Sequence, residues 1–262
     1  MRRKLIIGAA LVAALAAASV AYAATLNTYT AKVGFTSTKS GTAAKPVPLG
    51  YTENLGAANT VAGKVAAPLV DIKTTIYGMK ANLKDFPTCS SATITKPPKY
   101  NLNCPKGSEV ATGTVNAKIG GPTLTAPGTA CNPDLAIYNG GNNIEWYFFT
   151  TPSATACAGL TTGQTAPYPG KVSQSGKNMV INVPLPPDVS TKVANHANLY
   201  GSLIKETVKV NALSTKVKGK TVYSQESVAC MGKKRPYSVA FTAVPSSGAS
   251  GVTVTVKGSA KC

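Results

Sequence analysis

The chain of 262 residues has a single histidine, His196, and only nine acidic residues. Serine-nucleophile catalysis needs a histidine base, and the sequence has neither a Gly-x-Ser-x-Gly elbow nor a His-Glu-x-x-His metal motif. Its paired glycines at 120–121 and 140–141 are not followed by a helical pattern, so they do not indicate a phosphate-binding loop. We interpret His196 as a surface or helix-capping residue rather than a catalytic base, and we expect no metal ion and no cofactor.

Long apolar runs are confined to the first 23 residues. Met1 to Lys4 are positively charged, Leu5 to Val20 are apolar, and Ala21-Tyr-Ala23 fits a cleavage site, so residues 1–23 are predicted to be a secretory signal peptide. The alternative is an uncleaved membrane anchor. We expect a secreted, extracellular or cell-surface protein without a transmembrane segment after cleavage, exported by either the general or the twin-arginine route.

Arginine is scarce, although the charge is strongly positive. After residue 23 the chain keeps 24 basic and nine acidic residues, a net charge of +15, but its one arginine there is Arg235. Such a charge attracts anionic wall polymers or acidic polysaccharides. Specific nucleic-acid recognition is not expected, because it favours arginine over lysine. The alternative is that dispersed lysines only keep the exterior solvated.

Six cysteines lie in the exported part, and none is spaced as Cys-x-x-Cys. This pattern favours disulfides over a zinc site. Fifteen pairings exist for six cysteines. We predict pairing of nearest neighbours, because each interval encloses a compact loop or hairpin: Cys89 with Cys104, Cys131 with Cys157, and Cys230 with Cys262.

The strongest hairpin signal lies between Cys131 and Cys157. Two strand-like runs, Leu135–Tyr138 and Ile144–Phe149, flank the turn Asn139-Gly-Gly-Asn-Asn143. Period-two alternation places Trp146 and Phe148 in the core, with Glu145 and Tyr147 on the other face, toward solvent or a cross-strand lysine.

Many short strands with glycine-rich turns continue along the chain and indicate an all-β fold, an antiparallel β-sandwich or jelly roll with three disulfides and at most one short helix. Residues 24–262 are expected to form one domain, with a subdivision near 185–188 as the alternative. The one helix is predicted at Asp188–Leu199. Gly56–Gly63 is predicted to be a loop, because it is rich in glycine, alanine and asparagine.

Glycoside hydrolysis is the enzyme class that the sequence excludes least, because it needs only two opposed carboxylates. Glu145, Glu206 and Glu226 lie on predicted strands, and Glu145 is adjacent to two aromatic residues. Glu145 and Tyr147 are therefore the candidate ligand-facing residues, although a plain solvent-facing pair explains them more simply.

Several short motifs resemble a group of exported actinobacterial proteins that usually occur as paralogues. The motifs are Lys45-Pro-Val-Pro48, Phe86-Pro-Thr-Cys89, Cys104-Pro-Lys-Gly-Ser108, Gly113-Thr114 and a terminal cysteine. Each motif is a turn or a predicted disulfide rather than an active site. The resemblance therefore implies only the exported compartment and a β-rich, disulfide-bonded fold.

These observations favour a secreted, non-catalytic protein that binds an anionic polymer or glycan at the cell surface or outside the cell. Two alternatives stay open. One is a glycan-active hydrolase that uses Glu145, and the other is a structural or assembly module of the cell envelope that docks through an exposed strand edge.

Overall fold

The computed structural model describes residues 27–97, 99–121, 123–150, 157, 164–195, 198–244 and 250–262. Most of them form β-strands, which we number in chain order: β1 Asn27–Phe35, β2 Val47–Pro48, β3 Tyr51–Asn59, β4 Leu69–Tyr77, β5 Met79–Ala81, β6 Glu109–Gly120, β7 Gly128–Cys131, β8 Asp134–Asn139, β9 Ile144–Phe149, β10 Tyr168–Ser175, β11 Asn178–Pro184, β12 Tyr200–Val210, β13 Ser214–Val217, β14 Lys220–Tyr223, β15 Gln225–Ser227, β16 Lys234–Ala243 and β17 Val252–Lys261. One four-residue α-helix, α1, spans Ser91–Ile94. Short 3-10 segments span Leu83–Asp85, Tyr100–Asn103 and Val193–Asn195.

One large antiparallel sheet dominates the fold. Its strand order is β1-β3-β12-β6-β8-β9-β10-β11-β4-β16-β17, with β7 paired to β6. Two small sheets accompany it, β13-β14 and β2-β15-β5. Because β1 also lies beside β17, the large sheet curls into two facing layers, and alternate side chains point into the space between them. The predicted all-β antiparallel class, with one short helix and three disulfides, is confirmed.

Side chains of β16 hold β1 against the last two strands, β16 and β17, since within the described residues no backbone ladder joins β1 to either of them. Tyr29 stacks on Phe241 with ring centroids 4.7 Å apart. The guanidinium carbon of Arg235 lies 4.7 Å from the centre of the Phe35 ring. The hydroxyl of Tyr237 donates a hydrogen bond to a backbone carbonyl of β1 over 3.4 Å. We call this junction the seam.

The interior is packed by the inward face of each strand. Trp146 lies in the larger apolar cluster and stacks on Tyr168, with ring centroids 6.4 Å apart, and Phe148 packs against the same cluster. The predicted core positions on the hairpin are therefore confirmed. The three predicted disulfides are present as well, at sequence separations of 15, 26 and 32 residues. Loops of this size each stabilise a fold by about 3 kcal/mol.

The segment from Leu83 to Ser108 folds back over the outer face of the β8–β9 hairpin, and we call it the flap. Its own disulfide, Cys89–Cys104, and helix α1 keep it compact. Cys89 and Ile94 pack against Tyr138 and Tyr147 in a separate apolar cluster. The hairpin is consequently buried on both faces.

Asn139 fastens the flap to the hairpin. Its side chain is fully buried, and Nδ2 donates hydrogen bonds to the carbonyls of Leu83, Phe86 and Pro87 at 2.8, 3.1 and 3.0 Å. Because these carbonyls have little access to water, the amide satisfies acceptors that would otherwise be left unpaired.

Asn139→Ala is expected to lower the free energy of unfolding by about 2–3 kcal/mol, since it removes several buried hydrogen bonds at once. Urea denaturation of the oxidised protein measures this change. The matched control is Asn182→Ala, which removes one hydrogen bond to Asp71 on a half-buried site and should cost less than about 1 kcal/mol. Equal losses for the two variants would show that Asn139 does not anchor the flap.

Two local predictions are wrong. The predicted helix at Asp188–Leu199 is instead a series of turns with a 3-10 segment in which Ala194 has a φ of 52°. His196 and residue 197 lie outside the described residues. The predicted loop at Gly56–Gly63 is wrong in its first half, since residues 56–59 end strand β3, which pairs with β1 on one side and β12 on the other, whereas residues 60–63 form a bend and turn as predicted. Among the described residues no helix has the length and apolar character to cross a membrane.

Candidate functional site

Glu145 and Tyr147, the residues predicted to face solvent or a ligand, are buried beneath the flap. Glu145 is 5% exposed and Tyr147 is 1% exposed. The Glu145 carboxylate accepts hydrogen bonds from Ser91 Oγ at 2.8 Å and from Asn143 Nδ2 at 2.9 Å, and the Tyr147 hydroxyl bonds to Gln164. The predicted solvent exposure is therefore wrong, because the flap covers this face. In this position Glu145 binds the flap to the hairpin.

Two other glutamates meet in the interior of the fold. Glu53 on β3 and Glu206 on β12 both point inward, and they are 7% and 5% exposed. Thr74 Oγ1, from the facing strand β4, donates a hydrogen bond to Glu53 Oε1 over 2.6 Å. Within the described residues no hydrogen bond is donated to the Glu206 side chain. The pair therefore lies in apolar surroundings with few compensating partners.

Burial controls the protonation of this pair. Removal from water raises the pKa of Glu53 to about 7, against the lowering effect of the Thr74 hydrogen bond. Burial and the nearby charge of Glu53 raise the pKa of Glu206 to about 8. Burial, followed by the charges of Glu206 and Asp188, also raises the pKa of Tyr168. At neutral pH Glu206 is therefore mainly protonated, and Glu53 is near its midpoint.

A small cavity lies next to Glu53. Its volume is about 30 Å³, and its polar lining includes Glu53, Gln225 and the indole of Trp146. The Trp146 Nε1 and Gln225 Oε1 atoms are buried without a hydrogen-bond partner among the described residues. This volume has room for one or two water molecules, whereas pockets for small ligands span hundreds of cubic ångströms. The cavity is too small for a sugar ring.

The exterior carries almost uncompensated positive charge. Of the 23 lysines after residue 26, 22 are exposed, whereas Glu109 is the one exposed carboxylate among the nine acidic residues. The others are half-buried or buried, as Glu53 and Glu206 are. Because strands alternate their faces, the acidic side chains of β3 and β12 point inward while the lysines of β12 point outward.

The outer surface of β1, β3, β12 and β6 is flat, polar and basic, and we call it the lysine–threonine face. Its middle row consists of residues in register on the four strands: Lys32, Asn54, Thr207 and Thr114. In the row on one side of it, Lys205 lies beside Asn116, and in the row on the other side, Lys209 lies between Thr52 and Thr112. Glu109 begins β6 beyond the end of β12, where it accepts a hydrogen bond from the Tyr138 hydroxyl. The rows hold no acidic side chain on β1, β3, β12 or β6, and the half-buried Asp134 of β8 pairs with Thr114 at the border of the face.

Glu206 is one of the glutamates that the sequence places on a predicted strand. The sequence did not predict a functional role for Glu53 or Thr74, and it did not predict the lysine–threonine face. The sequence does carry a signal for Glu53, because it alternates with the apolar residues Tyr51, Leu55 and Ala57. In the structure all four side chains are buried on the same face of β3. Within the described residues, no group of three or more His, Cys, Asp or Glu side chains could hold a metal ion.

Comparisons of the chain with protein-family models, with curated proteins and with solved structures gave no match.

Proposed function

We propose that this protein is secreted, acts without catalysis at the cell surface or outside the cell, and binds an anionic polymer. The observation that carries the proposal is the separation of charge: 22 exposed lysines against one exposed carboxylate. A surface of this kind attracts polyanions over roughly a Debye length, which is about 10 Å at 0.1 M salt. Export is supported by the three disulfides and by the first 23 residues, which have the pattern of a secretory signal peptide with a cleavage site.

The structure gives less support to the two alternatives. A hydrolase that uses Glu145 needs that carboxylate in an open cleft, and Glu145 is buried under the flap. An assembly module is expected to show a large apolar docking patch. The large hydrophobic residues exposed in the described part of the chain are Val61, Leu102 and Met231, which lie in three separate segments between strands.

The oxidised protein is expected to be retained on an immobilised acidic polysaccharide at about 0.1 M salt and to elute well below about 1 M, where the Debye length falls to about 3 Å. A resin with the same matrix but a neutral polysaccharide is the control and should not retain it. Failure to bind any anionic resin at low salt, or retention that salt does not weaken, would contradict the proposal.

A further inference from the structure

We infer that the lysine–threonine face is the binding surface for the polymer, and that the polymer is an acidic polysaccharide. This inference rests on the proposed function and adds the location of the site and the class of ligand. It follows from which side chains the sheet register brings together on one face.

The charges on this face are arranged for a linear polymer. Lys205 and Lys209 lie on the same strand, four residues apart, which places them roughly 13 Å apart along β12. Lys32 lies two strands away, roughly 10 Å across the sheet. All three side chains are exposed. A polymer with an anionic group on each sugar, or on every second sugar, can reach all three lysines in one orientation.

Hydroxyl and amide groups fill the space between the lysines. Thr207 Oγ1 donates a hydrogen bond to Asn54 Oδ1 over 3.0 Å, which leaves the Asn54 amide NH₂ available to an acceptor outside the protein. Thr30, Thr112 and Thr114 are exposed on the neighbouring strands. Such groups can both donate to and accept from sugar hydroxyls, whereas a polyphosphate chain offers only acceptors. This property favours a polysaccharide over a purely inorganic polyanion.

The layer beneath the face does not cancel its charge. Glu53 and Glu206 point inward from the two central strands, β3 and β12, and burial raises their pKa values, so that at neutral pH Glu206 is mainly protonated and Glu53 is near its midpoint. The neighbouring flap adds the exposed Lys96, Lys99 and Lys106 along the chain that covers β8 and β9. The rows that hold Lys32, Lys205 and Lys209 are therefore positively charged, with Asp134 at their β8 border and Glu109 beyond the end of β12.

The test compares two triple variants that remove the same charge. The first changes the three face lysines, Lys32→Gln, Lys205→Gln and Lys209→Gln. The control changes Lys39→Gln, Lys64→Gln and Lys177→Gln, which are exposed in loops and turns. Binding of the oxidised proteins to polygalacturonate, a linear polymer with one carboxylate per sugar, is measured by calorimetry. Thermal melts show that each variant is folded.

The face variant is expected to lose about tenfold in affinity and the control less than about threefold, since each exposed ion pair contributes only a severalfold factor. Equal losses for the two variants would overturn the location and leave the proposed function standing. Absence of wild-type binding to polygalacturonate alone would overturn the choice of a polysaccharide, whereas absence of binding to polyphosphate as well would overturn the proposed function. Inorganic polyphosphate should compete poorly, and competition equal to that of polygalacturonate would overturn the choice of a polysaccharide.

A third variant addresses the other dense group of lysines, Lys216, Lys218 and Lys220 on the β13–β14 hairpin, which forms its own two-stranded sheet. Changing these three residues to glutamine is expected to lower affinity no more than the control variant does. A larger loss here than in the face variant would place the polymer on the hairpin and contradict the inference.

Discussion

The free energy of unfolding of the oxidised protein is expected to fall by several kcal/mol as the pH rises from about 5 to about 8. Glu53 and Glu206 cause this dependence. Burial raises the pKa of Glu53 to about 7 and, together with the charge of Glu53, raises that of Glu206 to about 8, whereas an ordinary glutamate has a pKa of 4.5. The folded state therefore keeps protons that the unfolded chain has already lost.

The sign follows from this difference in bound protons. Stability is highest at or below the ordinary pKa, where both states are protonated, and it falls as the pH rises toward the folded-state values. Each group contributes about 1.4 kcal/mol per pH unit between its two pKa values. The pKa of half-buried Asp71 is also raised by burial, which adds a change of the same sign. Burial raises the pKa values of Tyr51 and Tyr168, which extends the loss to more alkaline pH.

Glu206→Gln is expected to remove much of this dependence. The amide has nearly the shape of the protonated carboxyl group and cannot ionise, so the variant should match the wild type near pH 5 and exceed it by about 1–3 kcal/mol at pH 8. Urea denaturation at several pH values measures both. Glu109→Gln, on the exposed glutamate, is the control and should follow the wild-type curve. If Glu206→Gln keeps the wild-type pH dependence, Glu206 is not protonated in the folded protein.

Arg235→Ala is expected to destabilise the protein by about 3–5 kcal/mol, whereas Arg235→Met should change its stability by no more than about 1 kcal/mol. The arginine side chain is completely inaccessible to solvent. Its Nη2 donates hydrogen bonds to Ser227 Oγ at 2.6 Å and to the carbonyl of Ala229 at 3.3 Å, while Nε and Nη1 have no hydrogen-bond partner in the part of the chain that the structure describes.

Two opposing terms explain the difference between these variants. The side chain fills space at the seam against Phe35, and alanine leaves that space empty. The guanidinium is also a buried charge, and desolvation lowers its pKa. Methionine keeps most of the volume and removes the charge. The desolvation cost of burying a charge is then absent, and this gain offsets the loss of the hydrogen bonds and of the cation–π contact. Denaturant midpoints of the two variants measure the difference, and equal damage by alanine and methionine would show that the charge itself stabilises the seam.

Features fixed by nearby residues were predictable from the sequence. The disulfides join neighbouring cysteines, and the β8–β9 hairpin follows from its alternation and from a turn in which Gly141 has a φ of 94°. In each case the sequence separation is small, so local preference and tertiary structure agree.

Features fixed by distant residues were not predictable. Gly56 and Ala57 are weak strand formers, and pairing with strands on both sides keeps them extended. Glu145 is buried because the flap, which precedes it by about fifty residues, folds onto its face, as the Ser91 hydrogen bond at a separation of 54 residues shows. For the candidate site, the excess of lysine was visible in composition, but the placement of Lys32, Lys205 and Lys209 on one face depends on the order of β1, β3, β12 and β6.

The seam also sets how the fold responds to mechanical load. Every other junction in the large sheet is a ladder of backbone hydrogen bonds, so sliding two of its strands apart requires many bonds to break together. At the seam, Tyr29, Arg235 and Tyr237 make separate side-chain contacts that can break one after another. A force that separates β1 from β16 and β17 would therefore open the molecule there before any backbone ladder of the sheet breaks.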